Sequence, residues 1–211
     1  MSSGTARAEL AALSLADPAE RWERLGFAVA DGVVPLGGVQ LELGAAGTGI
    51  VGWRLRGLDT SVDAAQCVEI DGLPTDATPI HAPQAPREHP NGAIGLDHVV
   101  VTTPDFDRTA KALACAGIPL RRIRRAPGGF RQGFRRLGPA ILELVEARDA
   151  TDRAARFWGL VVIVADLDAL AGRLGDELGT IKDAVQPGRR IATLRASAGL
   201  GEAVAFMSPD R

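Results

Sequence analysis

Two stretches of this chain carry the same punctuation at a fixed distance. Asp105, Asp107 and Leu113 in "PDFDRTAKALACAG" recur 61 residues later as Asp166, Asp168 and Leu174 in "ADLDALAGRLG". A repeat of this length constrains the fold before any local propensity is considered, because each copy must be one supersecondary unit. Each copy opens with a β-branched run, "LDHVVVTT" (Leu96 to Thr103) in the first and "WGLVVIV" in the second, as a strand requires. A helix follows. In the first copy Pro104 sits near its start, acidic residues fill the first turn and Gly117 stands where a cap is wanted. Three strand-like runs separated by Gly and Pro complete each copy: "IPLRRIRR", "GFRQGFRRLG" and "PAILELVEA", then "TIKDAVQP", "RRIATLRA" and "EAVAFMSP". The order β-α-β-β-β is thus read twice between residues 96 and 209, which predicts an α+β fold of repeated βαβββ units.

A compressed third copy stands in front. "ELAALSLADPAERWERLGF" (Glu9 to Phe27) runs from a strand through Asp-Pro into a helix, and "PLGGVQLELG" (Pro35 to Gly44) aligns with "RLGPAILELV" (Arg136 to Val145). That alignment places Glu42 opposite Glu143. "GIVGWRLRG" (Gly49 to Gly57) reads equally as the last strand of this unit or the first strand of a fragmentary fourth. Residues 72–92 carry five prolines with neither helical nor strand periodicity. The expected organisation is a divergent unit over residues 1–71, a proline-rich connector over 72–93 and a two-unit domain over 94–211.

Composition narrows the function classes. A net charge of −2 shows no basic excess, and the absence of tyrosine among few aromatics removes a stacking platform for single strands, so no nucleic-acid partner is expected. Arginines gather locally between Arg121 and Arg136, either to attract an anion or to solvate and protect an edge strand. No apolar stretch reaches the ~18 residues of a membrane span and the first ten residues lack a signal-peptide core, which makes the cytoplasm the default location and excludes a membrane partner. Cys67 and Cys115 form no CxxC; Cys115, on an apolar helical stretch, is expected to be buried. "GAAGTGIVG" (Gly44 to Gly52) lacks the lysine followed by Ser or Thr that ends a phosphate-binding loop, and no G-x-S-x-G elbow is present.

Repeated βαβββ units with "LDHVVVTTPDFDRT" opening one and "LELVE" closing it resemble the vicinal oxygen chelate superfamily, which contains glyoxalases, extradiol dioxygenases, methylmalonyl-CoA epimerases and bleomycin-resistance proteins. The resemblance implies units paired into a curved, cup-like mixed sheet with helices outside, and a divalent metal (Mn, Fe, Ni or Zn) held by the first and last strands of each unit. The matching positions in the first full unit are His98 and Glu143. In the second they fall at Gly159 and near Phe206, neither of which ligates. Glu42 completes a set of one histidine and two carboxylates if the front unit pairs with the middle one, although that unit's own first-strand position falls near Leu10.

Each residue also has a plainer reading. His98 is either a ligand or a strand histidine bonded to a carbonyl or to Asp97. Alternation in "AILELVEA" puts Glu143 on a face with Ile141 and Val145, where a carboxylate needs a metal, a hydrogen bond or a partner such as Arg131 or Arg135. Without a metal, His98 and Glu143 still make an acid and base pair. Gln132, Arg135 and Arg189, from matching third-strand regions, are the expected contacts to a small-molecule substrate. Two functions stay open: a glyoxalase-like lyase, isomerase or dioxygenase using His98 and Glu143, and a metal-free binder resembling bleomycin-resistance proteins. The resemblance also implies a homodimer able to complete a site in trans.

Overall fold

The computed structural model describes residues 8–58, 68–77, 85–147 and 153–210. His81 and Cys67 lie outside them. The two full units form one eight-stranded sheet. The first contributes β1 (Ala93–Thr103), α1 (Phe106–Cys115), β2 (Arg122–Arg125), β3 (Arg131–Leu137) and β4 (Ala140–Glu146). The second contributes β5 (Arg156–Val164), α2 (Leu167–Leu174), β6 (Lys182–Asp183), β7 (Arg190–Thr193) and β8 (Ala203–Met207). In each unit the last strand returns parallel to the first, and the two first strands meet antiparallel at the centre, giving the order β6-β7-β8-β5-β1-β4-β3-β2. Both helices start on an aspartate cap, Asp105 accepting from the Arg108 N–H and Asp166 from those of Asp168 and Ala169. Those two caps are the residues on which the repeat was read.

The front of the chain repeats the same plan in a second sheet of six strands. β9 (Glu9–Leu15), the helix α3 (Ala19–Arg24), β10 (Val33–Leu36) and β11 (Val39–Glu42) form a unit with one strand missing. β12 (Ile50–Arg56), β13 (Val68–Ile70) and β14 (Leu73–Asp76) form another without a helix. The order β10-β11-β9-β12-β14-β13 reproduces that of the larger sheet with both outer strands removed. This decides the role of "GIVGWRLRG": β12 runs antiparallel to β9 as β5 runs to β1, and is therefore the first strand of a fragmentary fourth unit. It also means that the front unit pairs with this fragment, and the middle unit with the last. β14 lies inside the stretch read as connector; Leu73 and Thr75 are buried on its inner side, an alternation too short to show above the prolines around it.

Every first strand carries a register break at the same place. In β1 the partner of His98 is Val161 and that of Leu96 is Val162, so Asp97 is an extra residue; in β5, Phe157 pairs with Val101 and Gly159 with Val100, leaving out Trp158. In β9 and β12 the extra residues are Ala11 and Val51. Such a bulge turns two successive side chains to one face. Here it sends Leu96 and Val99 into the core while Asp97 and His98 both leave it.

The two sheets share one hydrophobic core. Phe27 stacks on Phe206 at 6.2 Å and Trp53 meets Phe157 edge-on at 5.4 Å. Buried His89 bridges the parts as a structural group: its Nδ1 accepts from the Ala28 N–H at 3.0 Å, so Nε2 carries the proton and donates to the Pro35 carbonyl at 2.8 Å. Cys115, expected to be buried, is exposed at the end of α1, because the buried stripe of that helix runs through Phe106, Thr109 and Leu113. No helix among the described residues is long and apolar enough to cross a membrane.

Candidate functional site

The concave face of the eight-stranded sheet encloses a cavity of about 460 Å³, within the range of small-molecule sites. Val100, Val145, Leu160 and Trp158 give it a mainly apolar wall, and His98, Gln132 and Glu143 supply the polar groups. The adjacent parallel strands put Glu143 beside Val100 and Ile141 beside His98. This brings the His98 Nε2 to 3.4 Å from Glu143 Oε2.

A chain of polar contacts fixes both groups. His98 Nδ1 lies 2.7 Å from Asp97 Oδ2, and Asp97 Oδ1 accepts from Arg189 NH1 at 2.6 Å. Since the carboxylate can only accept, Nδ1 holds a proton and Nε2 is the nitrogen turned toward Glu143. On the other side Gln132 donates to Glu143 Oε1 at 2.9 Å while its own oxygen accepts from Arg124 Nε at 2.9 Å. The arginine thereby sets which end of the amide faces the carboxylate. Burial would raise the Asp97 carboxyl, but hydrogen bonds from His98 and Arg189 and their charges hold it below the ordinary range. Burial pushes the Glu143 carboxyl up, against the attraction of His98 and Arg124, and Asp97 adds to the rise. The two carboxyls flanking one imidazole are thus driven apart, the pattern expected of an acid and base pair.

Of the residues expected from sequence, His98, Glu143 and Gln132 converge. Arg189 stands behind them, buried on Asp97 and donating through Nε to the Ser208 carbonyl at 2.8 Å, so it positions Asp97 and does not reach into the cavity wall. Arg135 alternates onto the opposite face of β3 with Gly133 and Leu137 and is buried there. Glu42 does not join the set: it lies in the other sheet, 2.7 Å from Arg54 NH1 and 3.3 Å from Ser14 Oγ. Among the described residues no arginine forms an ion pair with Glu143; Arg131 pairs with Glu146 and Asp107. Asp97 is the partner of His98 that the sequence offered, brought to its side by the bulge, whereas Arg124 was not singled out from the arginine run.

The register also locates the remaining metal positions. His98 and Val100 in β1 correspond to Gly159 and Val161 in β5, so Glu143 corresponds to Ala205, the partner of Val161 in β8. Phe206, the position expected from sequence, points into the core. In the small sheet the same argument equates His98 with Ala12 instead of Leu10, and places Glu42, Arg54 and Asp76 side by side, with Arg54 Nε 2.9 Å from Asp76. A guanidinium there occupies the space between the two carboxylates.

These residues do not fit a resident divalent metal. Two donors fall short of the four or more such ions take, and among the described residues no three His, Cys, Asp or Glu side chains are grouped to hold one. Gly159 has no room for a ligating side chain, because a Cβ would meet the Ala203 carbonyl oxygen at 2.2 Å. Gly159→Ala is accordingly expected to lower the unfolding free energy by about 2–3 kcal/mol by forcing β5 from β8. Urea unfolding checks this, and an unchanged midpoint would contradict the close approach.

No family model and no curated protein matches the chain. Among solved structures it is similar to methylmalonyl-CoA epimerase from Mycobacterium tuberculosis, at 21% identity and a TM-score of 0.47 over 57% of this chain and 91% of that one. It is also similar to a variant of Streptomyces coelicolor methylmalonyl-CoA epimerase in complex with 2-nitronate-propionyl-CoA, at 18% identity and a TM-score of 0.45 over 55% and 97% of the two chains. A hypothetical protein from Bacillus halodurans is similar at 14% identity and a TM-score of 0.44, over 55% of this chain and 94% of that one. The strand order and register set out above, which stand without these likenesses, give the C-terminal sheet the two paired βαβββ units expected from the sequence.

Proposed function

We propose that the C-terminal cup binds a small molecule and exchanges a proton with it through Glu143 and His98, without a resident metal. The observation that carries this reading is the 3.4 Å approach of His98 Nε2 to Glu143 Oε2 at the wall of an apolar cavity, with Asp97 on the other ring nitrogen. A ligand seated against Val100 and Leu160 turns its polar group to Glu143. The carboxylate takes a proton from it and gives one back; His98, held by Asp97 with its proton on Nδ1, offers Nε2 to accept that proton from Glu143 in between, so the pair ends in the state in which it began. Gln132 keeps the reacting carboxylate in place. All four side chains come from one chain, so a second copy is not required for this step.

The test is NMR with a panel of short-chain 2-oxo acids and ketones in D₂O. Compounds that bind are expected to exchange the hydrogen beside their carbonyl, and Glu143→Gln is expected to cut that exchange by about 100-fold or more while binding persists. Exchange retained in Glu143→Gln would contradict the role given to that carboxylate. The apolar lining favours a second reading, a metal-free binder resembling bleomycin-resistance proteins. Its signature is binding with no exchange and an affinity unchanged in His98→Ala.

A further inference from the structure

A groove of about 430 Å³ runs along the outer end of the same sheet, lined by Arg121, Arg122, Arg124 and Arg136, with buried Arg135 of the opposite face of β3 behind them, and by no acidic residue. Among the described residues Arg121, Arg122, Arg124 and Arg136 make no ion pair; Arg124 donates to Gln132 and Arg136 to the Gly138 carbonyl at 3.4 Å. Arg122 on β2 and Arg136 on β3 project to the cup side with Phe134, because β2 and β3 pair Arg122 with Phe134, and β3 and β4 pair Arg136 with Ile141. The opposite wall is the turn between β6 and β7, at Val185, Gln186 and Pro187. Glu9 lines an adjoining hollow together with Arg121, Arg135 and Arg136, and is 3.6 Å from Arg56.

Edge arginines that only keep strands apart have no need of a facing wall. Here a wall is present, and the groove continues inward. A middle compartment of about 400 Å³ shares Arg124, Phe134, Ile141 and Gln186 with the groove, and is lined at its inner end by His98 and Glu143. Arg124 thus touches both the groove and, through Gln132, the Glu143 carboxylate. Guanidinium forks match the oxygens of a phosphoryl group two at a time.

We infer that the cup and the arginine groove serve one elongated ligand, a small molecule whose phosphoryl end lies among Arg122, Arg124 and Arg136 while its apolar end fills the cavity beside Glu143. The apolar end rests on the reading of the cup given above; the phosphoryl end stands on the groove alone. The groove also gives a use to Arg122, Arg124 and Arg136, three of the arginines that crowd residues 121–136 in a chain of net charge −2.

Calorimetry with inorganic phosphate and hexyl phosphate tests the inference on the full chain. Both are expected to bind, hexyl phosphate about tenfold tighter or more through its buried chain. The exposed pair Arg122→Ala with Arg136→Ala is expected to weaken both by about tenfold, with the fold checked by an unchanged unfolding midpoint. Hydrogen exchange in Glu143→Gln is scored separately from these affinities, so a failure of the proton-exchange reading and a failure of this inference are told apart. Equal affinities for the two probes, no saturable binding of either, or binding indifferent to the arginine pair would overturn the inference. So would a short duplex oligonucleotide that outcompetes hexyl phosphate, since the groove would then belong to a nucleic acid.

Discussion

Replacing Arg189 with alanine is expected to cost about 3–5 kcal/mol of stability, the effect of leaving one charge of a buried pair uncompensated. Arg189 and Asp97 are 6% and 8% exposed and 2.6 Å apart, and the guanidinium also ties the turn before β7 to the Ser208 carbonyl. The pH dependence has a definite sign. The Asp97 carboxyl is held below its ordinary value, so the stability it contributes is complete above the unfolded value of about 3.8 and is lost as pH falls through the folded one. In Arg189→Ala, His98 alone opposes the burial, so acid unfolding begins at a higher pH than in the parent chain. Asp97→Asn in the same chain is expected to recover part of the loss, because the orphaned charge is gone. Urea unfolding from about pH 3 to 7 measures both. A loss under about 1 kcal/mol at neutral pH would place Asp97 among solvated carboxylates and remove the support given to His98.

Glu202→Gln should act in the opposite direction. Both carboxyl oxygens of Glu202 are buried with no donor, beside the Asp17 carboxylate, which already accepts from Arg21 and the Gly201 N–H. Burial first, and Asp17 second, push the Glu202 carboxyl up to about 9 from 4.5. The folded state therefore keeps a proton that the unfolded chain releases. Stability is complete below about pH 4.5 and falls as pH rises toward 9, by about 1.4 kcal/mol per unit. Glutamine removes the charge and keeps a donor for Asp17, so the variant is expected to be more stable by roughly 3 kcal/mol at pH 7 and to lose the slope. Unfolding curves at pH 5, 7 and 8.5 compare the two directly. Parallel pH profiles would contradict the assignment.

The difference between what the sequence shows and what it hides follows from periodicity. Asp105 and Asp166 cap helices in any copy of the unit, so the repeat is written in residues that local structure demands. The equivalence of Glu42 and Glu143 is visible for the same reason, as both stand in a short strand after a glycine turn. The bulges at Asp97 and Trp158 leave no such mark: neither dipeptide has a residue that requires the break, and unbroken alternation would separate Asp97 from His98. Pairing between sheets is hidden as well, since nothing local in "GIVGWRLRG" says whether it meets β9 or β1. Arg135 and Arg136 differ only by face, and that face is set by which neighbour β3 takes. Glu42 was drawn toward His98 by type and lies with Arg54 because β9 pairs with β12.

The claim on which the account turns is that His98 and Glu143 are held by each other and by Asp97 and Gln132, with too few donors for a metal. Elemental analysis of protein purified without a histidine tag tests it most directly, run beside His98→Ala and Glu143→Ala. The account predicts well under about 0.1 equivalent of Mn, Fe, Ni or Zn in all three, and no thermal shift on adding those ions. Near-stoichiometric metal in the parent chain that disappears in both variants would contradict it.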